Sequence, residues 1–566
     1  MNLFHIFRSF LPLRNPLGFG AGDFVVLAFA GLLVGLLVLS AYTAPYARRF
    51  SQHTRLCMFA LFGFAIVLRL ALLPQSPVPT PSGADDFSYL LLGDTLTHLR
   101  LANPTHPLHQ FFEAVFILQQ PSYASIYPLG QGLFLAIGEM LLRNYWVGVL
   151  LTCGLFCALC YWMLRAWVAP IWALLGGLLA AIQFGPLNPW TNSYWGGFVS
   201  AMAGCLVFGS LPRLRESPRL GNGALLGAGL GLQILTRPFE AVFLFLAAVV
   251  YLLAAFRKSL TVMWKSIAAC AGVVVAAGAL TLFQNKAVTH SWTTMPYMLS
   301  RYQYGVPATF TFQPNAVPHR PLTAEQKLDY QAQAIIHGPG TDSLSEYFSR
   351  LAYRFRYLRF FLLPPLYFVI VPFIPSLRQW RFAWAIGTML LFALGTNLYA
   401  YFYPQYIAAL TCLFVLISVQ GLRALGDTPR KLAVSLCAAS FLFWFGLYLS
   451  GADDLLPITA QQSWYYINRG DSQGRAAAAQ KLAQAPGRQL VFVRYAESHR
   501  FAEWIHNDAD IDSAQTIWAN DLGTEENDKL IHYFPQRTVW LMEPDAQPPA
   551  LSPYAATQTP VFEIVH

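Results

Sequence analysis

Charge is scarce in this 566-residue chain: Asp, Glu, Lys and Arg together make up 11% of it, against about 25% in soluble domains. With 55% of residues hydrophobic, a polytopic membrane protein is the class that remains, and disordered, collagenous and disulfide-scaffold classes are excluded. Acid is scarcest where the chain is most apolar. Of 28 acidic and 37 basic residues, 15 and 8 follow Ser450, which leaves 13 and 29 in the first 450. The net charge of +9 therefore belongs to the apolar part, a signature of membrane topology and not of nucleic-acid binding. The eight cysteines all fall inside apolar runs, so they form no extracellular disulfide framework. Cys153, Cys157 and Cys160 share a helical face but lack a His or acidic companion, which argues for packing over metal binding. No Asn-x-Ser/Thr acceptor with a non-Pro middle residue occurs; this leans towards a bacterial inner (plasma) membrane rather than the endoplasmic reticulum.

Twelve apolar stretches of spanning or near-spanning length lie at about 23–44, 56–74, 145–166, 170–185, 196–212, 220–236, 238–256, 261–283, 358–375, 381–399, 404–420 and 431–449. The expected fold is thus a polytopic α-helical membrane protein of about 12 spans, residues 1–450. Basic connections at Arg48/Arg49/Arg55, Arg213/Arg215/Arg219, Arg257/Lys258/Lys265, Arg378/Arg381 and Arg423/Arg430/Lys431 alternate consistently when placed in the cytoplasm. Arg8 and Arg14 pull the N-terminus the other way. Three pieces then face outwards: a first outer loop 75–144, a second outer loop 284–357, and everything after 450. Tyr127–Leu142 would break the parity as a span and reads as an interfacial helix.

Residues 451–566 are polar and acidic. Strand-like runs at 489–495, 514–519 and 537–542, with helix-like segments at 475–485 and 524–534, predict a small periplasmic α/β domain with parallel pairing. No internal repeat supports a transporter built from repeated halves.

Among the few acids, Asp85 and Asp86 stand ten residues past the second apolar stretch, where Pro81 and Gly83 allow a turn before an amphipathic helix. Adjacent carboxylates cannot share one helical face, so one can meet a reactive group while the other holds it in place. The alternative is that either acid merely caps the helix. An apolar stretch, an acidic pair, Tyr89 three residues after Asp86, and then Tyr127-Pro128-Leu129-Gly130 opening a helix resemble the glycosyltransferase C superfamily. The nearest likeness is to its protein mannosyltransferase and aminoarabinose transferase branch, whose first outer loop carries an Asp-Glu pair and a Tyr. Asp85 matches the first acid, Asp86 the second with Asp in place of Glu, and Tyr89 the Tyr.

The resemblance implies an enzyme that takes a sugar from a polyprenyl-phosphate carrier and hands it to a glycan, lipid or protein acceptor on the periplasmic face. Asp85 is then the expected base for the attacking hydroxyl. Arg237, in a segment similar to the family's Thr-Lys-Gly, is expected to grip the lipid phosphate with its guanidinium fork. Alternatively, Arg237 and Glu240 form an ion pair at i, i+3 spacing. Arg301 and Tyr304 lie amid aromatics that line a sugar or prenyl groove or form an interfacial belt. Arg69 is expected to snorkel. The loop 185–197 lacks the second acid usual in the superfamily, leaving Asn192 and Tyr194 to hold sugar hydroxyls; a divalent metal is open on chemistry alone but not expected. His98, His106 and His109 read as solvated interfacial histidines rather than as a zinc site with Glu113. The other readings are a lipid or polysaccharide transporter or flippase, whose buried charges line a pathway, and a non-catalytic scaffold.

Overall fold

The computed structural model describes residues 21–81, 83–255, 263–451 and 474–554; Arg8, Arg14, Arg257 and Lys258 lie outside them. The chain divides into two compact units. The first takes the described residues of Met1–Pro79, Ile137–Thr281 and Asp342–Arg469, the second those of Thr80–Ala136, Leu282–Thr341 and Gly470–His566.

The first unit is helical, and its apolar helices make this a multi-pass membrane protein. By length and apolarity six helices among the described residues are fit to cross a bilayer: Thr54–Ala71, Tyr145–Leu164, Pro238–Ala255, Trp264–Thr289, Pro404–Ala424 and Asp427–Ser450. Two bent pairs, Val25–Ser40 with Tyr42–Phe50 and Leu344–Phe360 with Pro364–Arg378, raise this to eight. The twelve stretches read from sequence include the shorter helices Pro170–Phe184 and Leu220–Ile234. Pro170 opens the first of these and Gly185 closes it; Pro218 and Pro238 bracket the second, and proline is poorly tolerated inside a helix. Leu129–Leu142 is a 14-residue helix, too short to span upright. Small residues let the helices touch. At Gly204, in Phe198–Glu216, a Cβ would lie 1.8 Å from the Ala409 carbonyl oxygen.

The second unit holds the sheets. β1 (Ile117–Leu118) and β2 (Ala124–Ser125) form a short antiparallel pair. In the tail, β3 (Arg488–Val493), β4 (Thr516–Asn520), β5 (Arg537–Glu543) and β6 (Ala550–Pro553) form one sheet in the order β4-β3-β5-β6. β3 pairs in parallel with β4 and β5, as the alternation of strand and helix predicts, and β6 adds an antiparallel edge. Helices Arg475–Gln484 and Thr524–Tyr533 fall on the expected segments. The core of this α/β tail is not its own alone. Leu490, Phe492, Ile517 and Leu530 cluster with Leu91, Phe111, Phe112 and Tyr123 from the first loop, and Asn520 Nδ2 donates to the carbonyls of Phe111 (3.1 Å) and Glu113 (2.9 Å).

Candidate functional site

Within the second unit, the helix Ala84–Thr97 starts after an extended Gly83, with Asp85 and Asp86 in its first turn. Successive side chains point about 100° apart on a helix, and the two acids part company accordingly. Asp85 is partly exposed, whereas Asp86 is 4% exposed. The Tyr127 hydroxyl donates to Asp85 Oδ1. That tyrosine is itself held on several sides: its ring stacks on Tyr89 with centroids 4.2 Å apart and planes 10° from parallel. Its backbone N–H donates to Ser125 Oγ (3.1 Å), and its carbonyl accepts from Gln284 Nε2 (2.8 Å). Ser125 Oγ in turn shares a 2.8 Å hydrogen bond with Ser88 Oγ, one residue before Tyr89. Asp85 is thus a carboxylate whose orientation is set by packed neighbours while the group still reaches the surface.

A second carboxylate comes from the other loop. The helix Ala324–His337 opens with a capping box between Thr323 and Gln326 and carries Asp329. Burial pushes Asp329 up to about 7; the Gln333 amide, donating at 2.8 Å, opposes this, and the negative charges of Asp85 and Glu325 add to it. Asp329 is therefore able to carry a proton at a pH where an ordinary carboxylate does not. It falls within the second outer loop, 284–357, and no local motif in the sequence singles it out. Glu325, one helical turn earlier, accepts from His499 Nε2 (2.6 Å) and the Ala502 N–H (2.7 Å), and His499 Nδ1 lies 2.6 Å from Asp545 Oδ1. Glu325 of the second loop is in this way tied to the tail.

Arg301 and Tyr304 sit on Pro296–Tyr304 in the same unit. Arg301 Nε and Nη2 donate to the carbonyls of Pro307 (3.0 Å) and Ala308 (3.2 Å). Tyr304 is buried and donates to Glu113 Oε2 (2.6 Å). Burial raises the Glu113 pKa, against the pull of Tyr304, Arg320 and Gln326. The histidines do not behave alike. His98 is exposed, but His106, expected to be solvated, is buried with Nε2 3.1 Å from Asp512, because the tail closes over the first loop. Among the described residues no group of three or more His, Cys, Asp or Glu side chains is placed to hold a metal ion.

The first unit holds the remaining expected residues. Arg237 lies over the Tyr406 ring, 4.6 Å from its centroid. Glu240, in the first turn of Pro238–Ala255, is buried, and its Oε1 has no hydrogen-bond partner. Asn192, expected to hold sugar hydroxyls, is instead occupied by the protein. It accepts from Arg69 Nε (2.9 Å) and donates to the carbonyls of Pro186 (3.0 Å) and Asn188 (2.8 Å). Tyr194 donates to the Pro79 carbonyl (2.9 Å) and is likewise buried. Arg69 does not snorkel: it is fully buried, bonded to the carbonyls of Ser76 and Pro77 at 3.0 Å each and stacked 4.7 Å from the Trp146 ring.

Neither a family model nor a curated protein matches the chain in sequence. Among solved structures, the chain is similar to ArnT from Cupriavidus metallidurans bound to undecaprenyl phosphate, at 12% identity and a TM-score of 0.48, over 85% of this chain and 92% of that one. The apo form of that ArnT aligns at 13% identity and a TM-score of 0.46 over the same shares. The archaeal oligosaccharyltransferase AglB from Archaeoglobus fulgidus, in complex with an inhibitory peptide and a dolichol-phosphate, aligns at 11% identity and a TM-score of 0.39. That match covers 86% of this chain and 69% of the other.

Proposed function

We propose that the chain is a membrane glycosyltransferase that moves a sugar from a polyprenyl-phosphate carrier to an acceptor on the periplasmic face of a bacterial inner membrane. The observation that carries this reading is Asp85, a partly exposed carboxylate at a helix start, oriented by Tyr127 and Tyr89. The acceptor hydroxyl attacks the anomeric carbon and gives its proton to Asp85; the new glycosidic bond forms as the bond to phosphate oxygen breaks, and the lipid phosphate leaves with that electron pair. Asp86, buried beneath, holds the helix start in place. Asp329 supplies a second carboxyl able to hold a proton near neutral pH.

A leaving lipid phosphate calls for cations, and in the unit that carries Asp85 the proposed one is Arg301 of the second loop; in the first unit Arg237, with Glu240 beside it, is by itself a candidate to hold a lipid phosphate. Tyr89 and Tyr304 act through Asp85 and Glu113; Asn192 and Tyr194 act as braces. The tail helps to choose the acceptor, because its residues pack directly on the loop that carries Asp85. The test is conversion of a labelled polyprenyl-phosphate sugar by purified protein. Asp85→Asn is expected to lower the rate by about 10² to 10⁴; undiminished transfer when Asp85→Asn and Asp86→Asn are combined sinks the mechanism. A lipid or polysaccharide transporter is the second reading, favoured by the buried Glu240 on an apolar helix. Turnover of the labelled donor would remove it.

A further inference from the structure

In the order β4-β3-β5 the chain leaves β3 for β4 on one side and comes back for β5 on the other. The carboxyl ends of β3 and β5 therefore border the kind of crevice at which open α/β sheets take their ligands. The residues that follow these two strands meet there. His499 follows β3 and Asp545 follows β5, and the imidazole lies between two carboxylates: Nδ1 is 2.6 Å from Asp545 Oδ1, and Nε2 is 2.6 Å from Glu325 Oε1. The group that His499 takes up is thus an acid of the chain's own second loop.

The partners settle where the protons sit. Glu325 Oε1 already accepts from the Ala502 N–H (2.7 Å), and Asp545 Oδ2 accepts from the Ala496 N–H (2.9 Å). A neutral imidazole offers one donor and one acceptor, which would leave one carboxylate facing a lone pair at 2.6 Å. Two such contacts call for hydrogen on both ring nitrogens, a cation between two anions. The side chains of His499 and Glu325 are 3% and 2% exposed, so water screens this attraction little. Tyr495 covers the imidazole, with ring centroids 4.1 Å apart. Among the described residues Glu325 Oε2 is buried with no hydrogen-bond partner, so the carboxylate is held through Oε1.

Other charges surround the cluster. Burial raises the Glu325 carboxyl; His499 and the Ala502 N–H oppose this, and the Asp545 charge adds to it. The buried Glu503 feels the charges of Glu325 and Arg475. Glu497 and Arg500, flanking His499 in the chain, are exposed. Asp329 lies one turn beyond Glu325 on the same helix and feels its charge.

We propose that His499 is a positioning residue: as an imidazolium it clasps Glu325 at the carboxyl ends of the tail's strands and so fixes the helix Ala324–His337, which carries Asp329. When pH rises and one of the two shared protons leaves, an acceptor faces an acceptor and the clasp opens. Only the effect of the clasp on sugar transfer rests on the glycosyltransferase reading.

Hydrogen exchange of the full chain in detergent, corrected for the intrinsic rate at each pH, reads the clasp directly. Between pH 6 and pH 10 the protection of residues 324–337 should fall about tenfold in the wild type, as a charge-assisted hydrogen bond is lost. Asp545→Asn removes the need for the second proton. Its carbonyl keeps the Ala496 N–H and its amide donates to an unprotonated Nδ1, while Nε2–H stays on Glu325; this variant should keep its protection at pH 10. His499→Gln puts one amide nitrogen in place of two donors on opposite sides of a ring, and should lack that protection at both pH values. A fall that Asp545→Asn leaves in place, or one that Glu503→Gln abolishes, overturns the proposal. In turnover of the labelled donor, Asp545→Asn should move the alkaline limb of kcat to higher pH with KM unchanged; an unmoved limb overturns the positioning role. Absence of transfer in every variant overturns the glycosyltransferase reading and leaves the clasp to be decided by exchange.

Discussion

Asp85 and Asp86 are neighbours with opposite fates, and the difference comes from one helical step. The same first turn that exposes the one buries the other. The Tyr127 hydroxyl is the sharpest way to probe the arrangement. Tyr127→Phe keeps the stack on Tyr89 and removes only the hydrogen bond to Asp85. A hydrogen bond to a charged group is worth about 1.5–3 kcal/mol, so kcat/KM should fall by about 10- to 100-fold. The acidic limb of the pH profile should move to higher pH, because a carboxylate that loses a donor holds its proton more tightly.

Glu503 offers a separate pH signal in the tail. It is 1% exposed and accepts from the N–H groups of Val115 and Ile505 at 3.0 Å each. Burial pushes it up to about 8, with the Glu325 charge adding to the shift. The folded chain therefore keeps this proton between its unfolded value of 4.5 and about 8, where the unfolded chain releases it, and stability falls as pH rises through that window. Glu503→Gln should flatten this slope, seen as a smaller drop in thermal midpoint between pH 5 and pH 8 than in the wild type.

At the scale of elements, composition and punctuation explain most of what forms. Apolar runs make the helices, prolines and glycines end them, and the capping boxes at Thr323 and Ser343 start two of those in the second loop and beyond. Alternation in the tail predicts β3, β4 and β5; the edge strand β6 is too short and Pro-flanked to announce itself. Helix contacts are another matter. Gly204 reads as an ordinary small residue in an apolar run, but only the folded unit shows that the Ala409 carbonyl passes against it. Gly204→Ala should cost about 1–3 kcal/mol through overpacking, measurable as a lower thermal midpoint, while Gly272→Ala, with open space around it, should leave it unchanged.

At the scale of the molecule, the polar tail is part of the unit that holds Asp85. Phe111, Phe112 and Tyr123 of the first loop lose their cover if it is removed, so a chain ending at residue 451 should show rapid proteolysis across residues 80–136 and no transfer. The amino-acid order alone determined the membrane class and the α/β character of the tail, and it narrowed the candidate acids to a few that include the Asp85–Asp86 pair, because hydrophobic length, strand alternation and charge scarcity are local properties that need no partner to be read. The tertiary structure alone decided that the charges of Asp85 and Glu325 bear on the buried Asp329, that His499 bridges Glu325 and Asp545, that Asn192 serves Arg69, and that Arg69 is buried. Those are pairings between distant segments, and packing selects them once burial leaves each polar group only the partners that the fold brings within reach.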